Sequence, residues 1–291
     1  RGSNYLEPAA VLCSGTAVII GMLFYRRLVE TLTPERWVVN MVTLVAFLGT
    51  PAWFYGRTLY TEPYLLAFAV SAYALALRER MHWLPGCLVA LGMLLKPPFV
   101  LVILPLLANR LFQRRFKESA GLMFPVLASL GIMVGLNSVM YGGWSRFPIA
   151  FEAGDFRAGA VGLLLSTRHG LIPFAPAAII AFACWPRFIR ENCWDALVLG
   201  GCAILYFALM ALWCQWEGGF CYGPRLIVPV LPFLFIALVK LMNLRLYQHR
   251  VGKAACAGFC ALSVLVNLFG SMAYWHWVGK HPLMEMFTGS Y

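Results

Sequence analysis

Residues 84–109 read LPGCLVALGMLLKPPFVLVILPLLAN, and the way this stretch divides decides the fold. It is apolar almost throughout and long enough for one helical bilayer crossing, which takes about 20 residues. At its middle stands Leu95-Lys96-Pro97-Pro98. A Lys at mid-membrane is costly, and two successive prolines remove backbone donors and break a helix. The stretch therefore predicts two short helices that meet near the outer surface, with Lys96 at the apex. Read instead as a single span, it would throw every later basic cluster onto the opposite side from the earlier ones. Those clusters are Arg26, Arg27 and Arg36; Arg78 and Arg80; Arg110, Arg114, Arg115 and Lys117; Arg187 and Arg190; and Arg245, Arg250 and Lys253. With the pair of short helices they all share one face, which the excess of Lys and Arg makes cytoplasmic.

The composition agrees with a membrane-embedded chain. Of 291 residues, 61% are apolar and 12% charged, with a mean hydropathy of +0.75. A soluble chain of this size cannot hide so much apolar surface in one core. The fold class expected is all-α, a polytopic integral membrane protein with a single transmembrane helical domain over 1–291. Candidate spans fall at 8–25, 38–54, 63–77, 119–140, 170–185, 195–215, 226–243 and 254–275. With the short pair they make about ten helices. The outer face then receives 1–7, 55–62, the Lys96 apex, 142–169, 216–225 and 276–291. No signal-peptide pattern opens the sequence and residue 1 is not Met, so a C-terminal portion of a longer protein is the expectation. The formal charge of +11 does not point to nucleic acid, because the basic residues sit in short clusters between apolar runs. Aromatics at span ends (Trp53, Phe54, Tyr60, Tyr64, Trp213, Trp216, Tyr274, Trp275 and Trp277) suit an interfacial belt against membrane lipids. Cys13, Cys87, Cys184, Cys202, Cys256 and Cys260 lie in apolar runs and act as small hydrophobes. Cys214 and Cys221 could meet near the outer surface as a disulfide, or equally remain free thiols beside a Gly-rich loop. No Cys/His grouping has zinc-ligand spacing; no metal or other cofactor is expected, with a divalent ion left open.

Lipid and packing leave a few outer polar residues unexplained. Glu62 precedes Pro63 at the start of a span, where it either caps the helix dipole or turns a carboxylate toward an outer cavity. Lys96 either snorkels or, held by its Pro-Pro corner, takes an anion such as a phosphate head group. Arg168 and His169 interrupt LLLSTRHG (163–170), as a solvated loop or as part of a site. Gly218, Gly219 and Gly223 crowd the loop that begins Trp216-Glu217 and ends at Arg225, whose guanidinium can grip phosphate oxygens by two prongs. Together Arg57, Lys96, Arg168 and Arg225 with Glu62 and Glu217 make chemistry for a phosphate-bearing lipid of the outer leaflet.

WEGGFCYGPRLIVPVLPFL (216–234) resembles the W-GG-x-x-YGPR-x-x-x-P-x-LPF stretch of bacterial membrane glycosyltransferases of the GT-C superfamily, relatives of protein mannosyltransferases and of the aminoarabinose transferase of lipid A. GLLLSTRHGLIPFAPA (162–177), TEPYLLAFAVSAYALALR (61–78) and LGMLLKPPFVLVILPLL (91–107) are similar to further family segments, in the family's order. The resemblance covers most of 40–240. It implies transfer of a sugar from a polyprenyl-phosphate donor to an acceptor hydroxyl on the non-cytoplasmic side, with inversion and without a nucleotide, in a bacterial inner membrane. It also implies that Lys96, Arg168 and Arg225 hold the donor phosphate, while Arg57, Glu62, His169 and Glu217 shape the pocket. The family keeps its catalytic aspartate in a large first outer loop. Among the outer acids of this chain (Glu7, Glu62, Glu152, Asp155, Glu217 and Glu285) none has that context, so the catalytic residue is unassigned. A non-catalytic GT-C-like subunit of a larger membrane complex is therefore the alternative. A transporter would show internal repeats or midplane acids, and neither is visible. The topology is testable: a Cys placed at Ser145 should react with an impermeant reagent from the outside of intact cells. Labelling only after the cytoplasmic face is opened would overturn the orientation.

Overall fold

The computed structural model describes residues 6–77, 82–143 and 151–272. Arg78, Arg80, Ser145, Tyr274, Trp275, Trp277 and Glu285 therefore lie outside the described residues. The protein is 79% helical and has no strand among the described residues. In chain order the helices are α1 (Leu6–Val29), α2 (Arg36–Leu48), α3 (Ala52–Tyr55), α4 (Glu62–Leu77), α5 (Leu84–Leu95), α6 (Ile103–Phe112) and α7 (Phe116–Tyr141). They continue as α8 (Phe156–Leu165), α9 (Leu171–Phe174), α10 (Ala178–Glu191), α11 (Cys193–Asp195), α12 (Gly201–Leu212), α13 (Leu231–Phe235) and α14 (Arg250–Met272). Tighter 3₁₀ turns at Pro97–Val102, Arg225–Val230 and Ile236–Asn243 join several of them, and a π turn at Ala196–Gly200 leads into α12. Among the described residues five stretches are long and apolar enough to cross a membrane: Val11–Val29, Phe116–Tyr141, Cys193–Leu212, Arg225–Asn243 and Arg250–Met272.

Burial sorts these stretches into a centre and a periphery. Arg225–Asn243 is 78% buried over its most apolar window, against 22% for Phe116–Tyr141. The first is the middle of the bundle; the second turns Phe124, Leu127, Ile132 and Val139 outward, as a lipid-facing helix does. Pro229 and Pro232 explain the mixed winding of the central stretch, since each removes a backbone donor. α4 is the other central element, with Leu65, Leu66, Ala69, Val70, Ala72 and Tyr73 fully buried. Its many alanines let neighbours approach closely: a Cβ on Gly21 of α1 would lie 2.8 Å from Leu66 Cδ2 and 3.3 Å from Ala67 Cα. Small residues at such crossings are how membrane helices pack.

The break at 96 is present. Lys96 is extended (φ −152°, ψ 103°) after α5, and the Pro97–Val102 turn follows. The chain folds back far enough that a Cβ on Gly92 would meet the Phe99 ring at 2.2 Å. Tyr73 Oη then donates to the Val102 carbonyl at 2.9 Å, fixing the turn to α4.

Three boundaries differ from the expectation. The span expected at 38–54 ends at Leu48 and resumes as α3, because Gly49 and Pro51 interrupt it while Thr50 Oγ1 turns back to the Ala46 carbonyl. The span expected at 170–185 is split by Pro176: Ala175 leaves the helical region (φ −144°, ψ 72°), as a residue before proline does. The loop expected at 142–169 carries α8. Asp155 caps it, accepting from the Arg157 and Ala158 amides, and Gly159 and Gly162 let it lie flat on Ala211 and the Trp216 indole. Ten residues make a helix about 15 Å long, too short to span. Replacing Gly21 with Val should push α1 off α4 and cost about 1–3 kcal/mol. A detergent-solubilised Gly21→Val variant that melts with the parent would refute this close approach.

Candidate functional site

Glu62 begins α4 and its carboxyl is completely buried. A buried carboxylate is tolerated only when paired and hydrogen-bonded. Here two cations from distant segments supply the pairing. Lys96 Nζ donates to Glu62 Oε1 at 3.2 Å, and Arg225 Nε donates to the same oxygen at 2.9 Å. Glu62 Oε2 has no hydrogen-bond partner among the described residues. Both cations keep an outward face: 17% of the Lys96 side chain and 22% of the Arg225 side chain are exposed.

Each side chain is placed by its local sequence. Pro63 at the first turn pre-sets the helical φ of α4 and leaves Glu62 at its positive end. Pro97 and Pro98 hold Lys96 extended, off the axis of α5. Arg225 is set by the glycine loop: Gly218 (φ +74°), Gly219 (φ +76°) and Gly223 (φ +59°) take left-handed backbone, which side chains disfavour. That loop brings the Gly218 carbonyl to Arg225 Nη1 at 3.2 Å. The Arg225 guanidinium also lies 4.1 Å from the centre of the Tyr60 ring, a cation–π contact. Tyr60 Oη in turn donates to the Phe220 carbonyl at 3.3 Å.

Aromatic packing pins the loop from below. Tyr222 stacks on Phe54 (4.4 Å) and meets Phe174 edge-on (4.8 Å), while its Oη donates to the Val266 carbonyl at 2.9 Å. Tyr55 Oη donates to the Tyr222 carbonyl at 2.9 Å. Ser263 Oγ accepts from the Ala177 amide and Asn267 Nδ2 donates to the Phe174 carbonyl, so α14 holds the α9–α10 junction under the same ring.

The remaining expected residues separate into two groups. His169 is buried beside this centre, with Nδ1 3.7 Å from Cys221 Sγ and its ring edge-on to Trp216. Burial holds its imidazole below the usual pKa, with Glu217 pulling upward and Arg168 pushing downward. Arg168 itself is exposed, its amide tied to Ser166 Oγ. Arg57 turns elsewhere: its Nη1 donates to the Ser271 carbonyl at 2.6 Å, near the end of α14. Of the three cations expected at the phosphate, the structure thus brings Lys96 and Arg225 onto one atom and leaves Arg168 at the rim.

Cys214 and Cys221 are free thiols. Cys221 Sγ donates to the Glu217 carbonyl at 3.3 Å, whereas Cys214 Sγ points to Glu152 Oε2 at 3.9 Å. Burial pushes the Cys221 thiol up to about 11, which keeps it protonated and a poor nucleophile near neutral pH. Sequence reasoning missed Tyr60 and Cys221 as neighbours of the cations. The aromatic–acid spacing of Tyr60 and Glu62 and the YGPR context of Cys221 were the available signals.

Comparisons with protein-family models, with curated proteins and with solved structures found no match. Two cations on one carboxylate oxygen, each with part of its side chain exposed, leave positive charge that an anion can meet. The buried neutral His169 gives a pH test. Its folded pKa lies below its unfolded value of about 6.5, so the full stability is present above that value and is lost as pH falls through it toward the folded pKa. Melting at about pH 5.5 should be depressed relative to neutral pH, and His169→Gln should remove part of that depression. An identical pH profile in the variant would show that His169 is not the group.

Proposed function

We propose that this protein transfers a sugar from a polyprenyl-phosphate-linked donor to an acceptor hydroxyl on the non-cytoplasmic side of the membrane. In this reading it is a multi-pass protein with about ten transmembrane helices, the short pair at 84–109 included, in a bacterial inner membrane, of GT-C type. The observation that supports the reading is the convergence of Lys96 and Arg225 on Glu62 Oε1. A snorkelling explanation would leave these cations apart, each facing its own lipid head group. Their exposed faces, the left-handed glycine loop beside Arg225 and the Arg168 rim form a seat that a phosphate enters from outside. Cations placed where charge develops on a departing phosphate are the largest contribution a site of this kind makes. Their two donors stabilise the polyprenyl phosphate as it leaves.

One observation favours the second reading, a non-catalytic subunit. The carboxylate nearest the cations is Glu62, and it is buried and already ion-paired. A general base must reach the acceptor hydroxyl within hydrogen-bond distance, and Glu62 lies behind the two cations rather than beside an acceptor. Both readings share the phosphate seat and part at turnover. Charge-assisted contacts are typically worth about 1.5–3 kcal/mol. Arg225→Ala should accordingly weaken binding of a polyprenyl-phosphate sugar by roughly tenfold to a hundredfold, in protein that still purifies monodisperse from detergent. Unchanged affinity would remove the phosphate seat. Binding without transfer to any hydroxyl acceptor would leave the subunit reading.

A further inference from the structure

Away from Lys96, the turn between α6 and α7 collects a second group of cations. α7 packs along α5, with Gly86 against the Leu122 backbone, so the start of α7 lies at the end of α5 remote from Lys96, roughly 15 Å or more along the helix. Residues 110–117 read RLFQRRFK. Arg110 is the inner member: its side chain is 8% exposed, it donates to the Ala76 carbonyl at the end of α4, and its Nη1 lies 2.9 Å from Glu118 Oε2. His82 Nδ1 and Arg115 Nη1 reach the same oxygen at 3.3 and 3.6 Å. These contacts tie the ends of α4, α5, α6 and α7 into one corner. Outside the knot stand Arg114 and Lys117, both exposed. One carboxylate thus faces four Lys and Arg, which leaves a surplus of positive charge among the described residues.

Two features separate this corner from a plain run of surface charge. Arg114 is the only non-glycine residue with a positive φ (59°) among the described residues. It closes the last turn of α6: its amide and that of Arg115 donate back to the Leu111 and Arg110 carbonyls, both at 2.9 Å. Helices ordinarily place Gly in such a closure. An Arg there carries a backbone cost that Gly would avoid, and the turn by itself does not call for it. The second feature is apolar. Phe112, Phe116 and Trp194 are all exposed, and the Phe112 and Trp194 rings lie 5.0 Å apart. α7 begins here as a stretch long and apolar enough to cross a membrane, so its first residues belong where head groups meet acyl chains. Cations bordered by exposed aromatic rings complement a lipid with a negative phosphate above its hydrocarbon.

We infer that the α6–α7 corner is a binding site for an anionic phospholipid of the leaflet it meets, with Arg114 and Lys117 on the head-group phosphate and Phe112, Phe116 and Trp194 beside the chains. The site is separate from the Lys96–Arg225 pair and does not depend on whether the chain transfers a sugar. Because Arg110 and Glu118 join four helix ends at this corner, a lipid bound there also steadies the α5–α6 pair that carries Lys96.

The test uses the purified full chain in a neutral detergent, with dioleoyl phosphatidylglycerol and dioleoyl phosphatidylcholine as probes, and reads bound lipid by native mass spectrometry. The phosphatidylglycerol should be retained in preference, and less so as salt is raised. Arg114→Gly combined with Lys117→Gln should weaken it roughly tenfold to thirtyfold, while binding of phosphatidylcholine stays as it was. Gly suits the left-handed turn, so this loss does not come from unfolding. Arg250→Gln combined with Lys253→Gln removes the same charge from the start of α14 and should leave phosphatidylglycerol binding nearly unchanged. Equal retention of the two lipids overturns the inference, and so does failure to retain either. An equal loss in the two double variants overturns it as well, since the attraction would then belong to net charge and not to this corner.

Discussion

A carboxylate buried without water must be answered by positive charge, and in this protein that requirement organises the start of α4 and the segments packed against it. Glu62 opens a helix whose other residues are almost all apolar and enclosed. Its pairing draws in Lys96, from the break after α5, and Arg225, from the entry to the most deeply buried span. Three segments far apart in sequence are thereby clamped at one oxygen. Removing both cations would leave an uncompensated buried charge, which is among the most costly changes a fold can suffer.

The rest of the architecture can be understood as support for that clamp. The glycine loop supplies the Gly218 carbonyl to Arg225, and the loop in turn depends on Tyr222, wedged between Phe54 and Phe174 and hydrogen-bonded to α14. α14 also satisfies the broken backbone at the α9–α10 junction through Ser263 and Asn267. Polar groups inside the hydrocarbon region must find partners within the protein, and here the polar residues of the last helix partner the places where proline interrupts an earlier one. Rigidity at the cation pair follows, and in the proposed reading such a pair receives charge with little rearrangement.

Much of this was legible locally. The break at Lys96 follows from a charge and two prolines in sequence, whereas the end of α2 at Gly49 and Pro51 was read through as one span. α8 was hidden because its ten residues sit between polar flanks and owe their place to contact with α12 and Trp216, which no local pattern carries. The partition of the cations was hidden for a related reason. Arg57, Arg168 and Arg225 look alike beside an outer loop, yet one ends on the Ser271 carbonyl, one stays in solvent and one is driven onto Glu62.

The sequence by itself determined that the chain is helical, with stretches long and apolar enough to cross a membrane, and it singled out Glu62, Lys96 and Arg225 as polar residues that packing alone does not explain. Those properties follow from composition and from interactions among near neighbours: hydrophobicity over about 20 residues, proline's missing donor and the placement of Lys and Arg. Only the tertiary structure decided that Glu62 is a shared counter-ion rather than a helix cap, and that Cys214 and Cys221 face different partners. Both outcomes depend on segments separated by tens to hundreds of positions. Burial lowers the dielectric around such groups, so a charge that would be indifferent in water has to be met by whichever opposite charge the packing brings within reach.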